Sequence, residues 1–133
     1  MLYIITPCSR IQWLKQVYRS MSNLTVPYKW IILIDEYGLD KRLENGGLDK
    51  AKAFIYDNFS NIADIRIGNK YNNGSIMDCG GTCMVIDYIN TTVFKNNDYI
   101  FVCNDDNKIH KNLNKMVHLA EENKFDLIME HML

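Results

Sequence analysis

Three apolar runs without polar interruption, helical spacing between them, and acidic or turn-forming residues where each run ends together predict an α/β fold. The runs are Leu2 to Thr6, Trp30 to Ile34 and Ile100 to Cys103. A strand that is apolar at every position has no solvent-facing side, which is the signature of a sheet covered on both faces. Alternation of such strands with helices gives a Rossmann-like, mostly parallel sheet with helices on both faces. Sheets of this kind take ligands beyond the carboxyl ends of their strands, where the strand order reverses.

The elements follow in order. Leu2 to Thr6 is the first strand, ended by Thr6-Pro7-Cys8. Ser9 and Gln12 fit a capping box, and Ile11, Leu14, Tyr18 and Met21 recur at helical spacing behind them. Lys29 to Asp35 is the second strand. Glu36 to Gly47 is polar, contains Gly38, Gly46 and Gly47, and reads as a loop. Leu48 to Asn58 forms a helix on Leu48, Ala51 and Ile55. Ala63 to Ile67 is a weaker third strand. A polar stretch, Asn69 to Asp78, leads into Cys79-Gly80-Gly81-Thr82-Cys83 and a helix over Thr82 to Ile89, with the glycines in or just before its first turn. Asn90 to Asp98 is a loop and Ile100 to Cys103 the fourth strand. Lys111 to Asn123 is an amphipathic helix, and Phe125 to Met129 reads as a last strand.

The 133 residues are read as a single domain over 1–133, a size that buries roughly two-thirds of the surface the unfolded chain exposes. With 23% charged residues and a net charge of −1, the chain has no broad basic field, so neither nucleic acid nor an acidic membrane surface is expected as a partner. No apolar run approaches the ~20 residues of a membrane span. The start, Met-Leu-Tyr-Ile-Ile-Thr-Pro, lacks a basic leader region, so no signal peptide is expected. Cys8, Cys79, Cys83 and Cys103 do not make a disulfide framework. Reduced thiols and a cytoplasmic location are the expectation.

The chemistry concentrates in Asn104-Asp105-Asp106-Asn107, directly after the fourth strand. Two adjacent carboxylates at the mouth of a buried strand cost free energy unless a cation or hydrogen-bond donors compensate them. Oxygen ligands with open positions suit Mg²⁺ or Mn²⁺ completed by waters and ligand phosphates. A helix-capping turn is the other reading of the same residues. Thr6-Pro7 and Asp35-Glu36 end the first and second strands, on the same sheet edge, which favours a site.

Ile4-Ile5-Thr6-Pro7-Cys8-Ser9-Arg10, then Trp30 to Asp35, then Asn104 to Asn107 together resemble the nucleotide-sugar-binding half of GT-A glycosyltransferases. The likeness is to inverting members, the β-glucuronyltransferases and small bacterial and viral relatives, and extends over residues 1 to about 115. It implies a metal-dependent transferase that moves a sugar from a nucleotide-diphosphate donor, UDP-based, to an acceptor hydroxyl, with Mn²⁺ or Mg²⁺ as cofactor. Thr6 and Pro7 would shape the turn beside the uridine, and Arg10 would lie near the diphosphate or base. Asp35 would hydrogen-bond the base, with Glu36 as its neighbour alternative. Asn104 and Asp105 would face the ribose or donor sugar, and Asp106 would hold the metal. The chain departs from the family in having Asn104 where an acid is usual, and Gly80-Gly81-Thr82 where many relatives have an Arg-Asn pair; Lys70 and Asn73 lie upstream.

In that family the acceptor-binding half and general base follow the acidic motif, so no catalytic base is assigned. The alternatives are a minimal enzyme, a donor-binding half whose acceptor half comes from a partner or a second copy of the chain, a truncated enzyme, or a degenerate remnant. The competing expectation is a non-catalytic nucleotide-sugar-binding module. A receiver-like signalling domain fits worse, because strand one ends in Thr-Pro-Cys and strand three in Gly68-Asn69. His110 could approach phosphates, His118 reads as a helix-surface residue, and Glu130 and His131 could lie near a base position. A zinc site at the cysteines lacks a Cys-x-x-Cys pair. Trp13 and Trp30 read as packing residues.

Overall fold

The computed structural model describes residues 1–68 and 78–123. Its strands are β1 (Leu2–Cys8), β2 (Tyr28–Ile34), β3 (Asp64–Ile67) and β4 (Tyr99–Val102). Its helices are α1 (Leu14–Ser20), α2 (Glu36–Lys41), α3 (Leu48–Phe59), α4 (Asp78–Thr91) and α5 (Asn112–Asn123). Single 3₁₀ turns stand at Met21–Asn23 and Leu43–Asn45. The fold is α/β. The four strands form one sheet in the order β3-β2-β1-β4, with every pairing parallel.

Helices cover both faces. On one, α1, α3 and α5 press Leu14, Val17, Ile55, Phe59, Leu113 and Val117 against Leu2, Ile4, Cys8, Trp30, Ile32 and Ile34. On the other, α4 sets Met84 and Val85 on Ile5, Ile31 and Leu33. β1 and β2 are therefore apolar on both sides, as their sequences predict. β4 is not: Tyr99 and Phe101 pack into the larger core, but Ile100 and Val102 on the other side are 38% and 44% exposed. β3 is also largely exposed. β4 departs from the expected two-sided burial, and the weaker β3 is open as well, because α4 packs on the centre of the sheet.

Trp30 organises the larger core. Its ring stacks on Tyr18 at 5.9 Å between centroids and meets Phe59 edge-on at 5.4 Å. Its indole N–H donates to the Thr6 hydroxyl at 2.9 Å, so neither polar group is buried without a partner.

Two local expectations are corrected. The Ser9–Gln12 capping box does not form: α1 starts at Leu14 behind Trp13, which supplies no side-chain cap. Ser9 is occupied by Asp105 instead. The stretch Glu36 to Gly47 is no open loop. Asp35 ends β2 and caps α2, its Oδ1 accepting from Gly38 N–H at 3.0 Å, which sustains a short helix in a sequence with little apolar periodicity. Gly46 and Gly47, at φ 75° and 102°, then turn the chain into α3 with a backbone that side chains disfavour.

Gly38 is needed for space. A Cβ there would stand 2.5 Å from both the Asp35 Oδ2 and the Ser9 Cβ. Gly38→Ala is expected to destabilise the fold by about 1–2 kcal/mol, because the crowding outweighs the gain in helix propensity. A lowered urea midpoint with unchanged slope checks it. The expected strand at Phe125 to Met129, residues 69–77 with Lys70 and Asn73, and Glu130 and His131 lie outside the described residues.

Candidate functional site

The sheet order places β1 between β2 and β4, so the chain runs outward through β2 and β3 and returns to the other side of β1. At the carboxyl ends of β1 and β4 lies a cleft of about 470 Å³, within the size range of small-molecule sites. Its walls include Pro7 and Arg10 from the end of β1, Asp35 from β2, Arg42 after α2, Gly81 and Thr82 from α4, and Asn104 to Asn107 after β4.

The acidic stretch forms a closed turn in which the Asn104 carbonyl accepts from Asn107 N–H at 3.1 Å. Since α5 begins only at Asn112, the turn does not cap that helix. His110 Nδ1 accepts from Asn112 N–H at 3.2 Å, which makes His110 an exposed helix-start residue and not a lining group of the cleft. Within the turn the two aspartates both reach Arg10 but differ in burial. Asp105 is buried. Its Oδ2 accepts from the backbone N–H groups of Ser9 at 2.9 Å and Arg10 at 2.8 Å. Its Oδ1 accepts from Arg10 Nη2 at 3.0 Å and Nε at 3.3 Å. The compensation that a buried carboxylate requires thus comes from the chain itself. Asp106 points outward, its side chain 42% exposed, and accepts from the same Arg10 Nη2 at 2.9 Å.

A buried asparagine holds the loop that supplies these donors. Asn45 Oδ1 accepts from Ile11 N–H at 3.1 Å, and its Nδ2 donates to the carbonyls of Ser9 at 2.9 Å and Leu39 at 3.1 Å. Ser9, Arg10 and Ile11 are therefore fixed from both sides, by Asp105 and by Asn45.

Among the residues expected in the site, the structure brings Pro7, Arg10, Asp35, Asn104, Asp105 and Asp106 to one cleft. Thr6 does not line the cleft: its side chain faces the larger core with Ile4 and Cys8, is fully buried, and accepts from the Trp30 indole N–H, so any part it has in shaping the turn is through the backbone. Asp105 is corrected as a sugar- or ribose-facing group, because its oxygens are directed into the β1–α1 loop. Arg10 is engaged by both acids. Asp35 serves as the cap of α2 and still borders the cleft. Gly81 packs on Pro7, where a Cβ would lie 3.4 Å from the proline Cβ, consistent with close approach of α4 to the end of β1. Arg42 and Asn45 were not legible as site residues. Both stand in the segment whose polarity reads as a loop, and nothing local marks either one.

Cys8, Cys83 and Cys103 are free thiols. Burial pushes the Cys8 thiol far up, with Asp105 adding to the effect. Burial also pushes Cys103 up to about 12, assisted by Asp106 and Asp105. Neither supplies a thiolate near neutrality.

Among the described residues no three His, Cys, Asp or Glu side chains are grouped to cage a metal ion. The donor set does fit a different mode. Mg²⁺ and Mn²⁺ are commonly held by one or two carboxylates together with ligand phosphates and water, and Asp106 offers one half-exposed carboxylate on the cleft, flanked by the lining residues Asn104 and Asn107. Among the described residues no helix is long and apolar enough to cross a membrane. Compared with models of protein families, with curated proteins and with solved structures, the chain matches none.

Proposed function

We propose that this cleft binds a nucleotide-diphosphate sugar, UDP-based, together with Mn²⁺ or Mg²⁺, and that the protein is a GT-A-type glycosyltransferase transferring the sugar to an acceptor hydroxyl. The observation that carries the reading is the outward-facing Asp106 carboxylate, in a polar turn directly after β4, on a cleft at the reversal of a 3-2-1-4 parallel sheet. In open α/β sheets this is where nucleotides bind. Asp35, one oxygen of which is engaged by Gly38, has acceptor capacity left for a base N–H. Asn104 offers both a donor and an acceptor to ribose or sugar hydroxyls. Arg10 and Arg42 are the lining cations for phosphate oxygens. A divalent ion on Asp106 would act as a Lewis acid, stabilising the charge on the departing diphosphate.

The test is thermal and chemical denaturation with Mn²⁺ and UDP. At a hundredfold excess over the dissociation constant, binding raises stability by about 2.7 kcal/mol, and Asp106→Asn removes that gain while leaving the unliganded stability nearly unchanged. Absence of a shift with every nucleoside diphosphate plus metal overturns the reading. Sugar release or transfer from a UDP-sugar supports the transferase. Stabilisation with no turnover on any acceptor assigns the site to binding alone and overturns the enzymatic half.

A further inference from the structure

The Arg10 guanidinium has two carboxylate partners of unequal kind. Its contacts with Asp105 join a side chain only 4% exposed, and the backbone N–H of Arg10 reinforces them from the same residue. Its contact with Asp106 is a single Nη2–Oδ2 pair at 2.9 Å, made to a side chain 42% exposed. Nη2 carries two N–H groups, so Nε and one of them can stay on Asp105 when the other leaves Asp106. The first attachment is an anchor and the second is exchangeable.

We propose that Arg10 couples cation binding to diphosphate binding. Its guanidinium competes with the divalent cation for Asp106, and when the cation takes that carboxylate the N–H of Nη2 that it releases is offered to the diphosphate while the Asp105 contacts stay. The proposal rests on the nucleotide reading above and adds to it a specific order of exchange. No covalent bond changes; one ion pair is replaced by two, carboxylate with metal and guanidinium with phosphate. Exposed ion pairs are weak, so the exchange is easily reversed and the competition lowers cation affinity only several-fold. A guanidinium–phosphate contact is charge-assisted and stronger, so the same residue should matter more for the anion. By linkage, whatever the cation gains from the diphosphate, the diphosphate gains from the cation.

The proposal gives opposite signs for one substitution. Arg10→Gln should tighten Mn²⁺ binding in the absence of nucleotide by about three- to fivefold, the converse of losing a surface ion pair. It should weaken Mn²⁺-dependent UDP binding by tenfold or more. Asp106→Asn lies on the exposed side of the pair and guards against a folding defect in the first variant. It should abolish specific Mn²⁺ binding and strengthen UDP binding in EDTA several-fold, because Arg10 is then less neutralised. Mn²⁺ is followed by water-proton relaxation, and UDP by calorimetry with and without the metal. Arg10→Gln with unchanged or weaker Mn²⁺ binding overturns the coupling, as does UDP binding in EDTA that Asp106→Asn leaves the same or weakens. If the unsubstituted protein binds UDP with Mn²⁺ but the signs fail, only the coupling falls. If it binds neither ligand, the nucleotide reading falls and the coupling with it.

Discussion

Asp105→Ala is expected to lower stability by about 3–5 kcal/mol, the cost of removing one partner from a buried, hydrogen-bonded charge pair. The substitution leaves the N–H groups of Ser9 and Arg10 without their acceptor and the Arg10 guanidinium with only the exposed Asp106. Asp105→Asn keeps the shape, but its amide nitrogen must face donors on one side or the other, so it should recover little of the loss. Asp106→Ala, one residue along, should cost under about 1 kcal/mol, since its ion pair is exposed. Urea denaturation of the three variants checks the contrast. Equal losses at 105 and 106 would contradict the division of labour between the two acids.

Asn45→Ala is the second large effect, about 3 kcal/mol. Three backbone groups lose their partner at once, the N–H of Ile11 and the carbonyls of Ser9 and Leu39, and an unpaired buried polar group costs about 1–3 kcal/mol. Asn45→Asp preserves the volume but replaces two donors with acceptors aimed at carbonyls, so it should be no better than alanine. That comparison separates hydrogen bonding from packing. Because Asn45 and Asp105 hold the same three-residue loop, the double variant should lose less than the sum of the single losses. The expected readout is a double-mutant cycle in denaturant.

The sequence reveals those parts of the molecule that are decided locally. β1, β2, α3 and α5 follow from apolar runs and helical spacing, and their ends agree with the structure to within a few residues. α2 does not, because its helix depends on the Asp35 cap and on the absence of a side chain at Gly38 where Ser9 approaches. The failed capping box has the same origin. Ser9 is claimed by Asp105, 96 residues away, and no local pattern announces that contact. The site residues divide similarly. That the carboxyl ends of β1, β2 and β4 share one sheet edge is legible from fold logic. Which acid of Asp105-Asp106 turns inward is not, since either could meet Arg10. Thr6 was open to a stricter reading: two-residue alternation groups it with Ile4 and Cys8, away from Pro7, and its place at a strand end obscured that parity.

The Thr6–Trp30 hydrogen bond has a consequence for folding as well as packing. In most strands the alternation of apolar and polar residues gives the pairing its phase, and slipping by one residue exposes the wrong set to water. β1 and β2 lack that safeguard, because a shifted pairing would still bury apolar groups on both sides. The buried hydroxyl and the indole N–H restore it. With Ile4 opposite Trp30 and Thr6 opposite Ile32, the two polar groups meet across adjacent strands. A one-residue slide would put them on opposite faces, each buried without a partner. One neutral hydrogen bond thereby penalises the misaligned sheets that a uniformly apolar strand pair would otherwise tolerate, and keeps the ends of β1 and β2 level where Arg10 and Asp35 must face the same cleft.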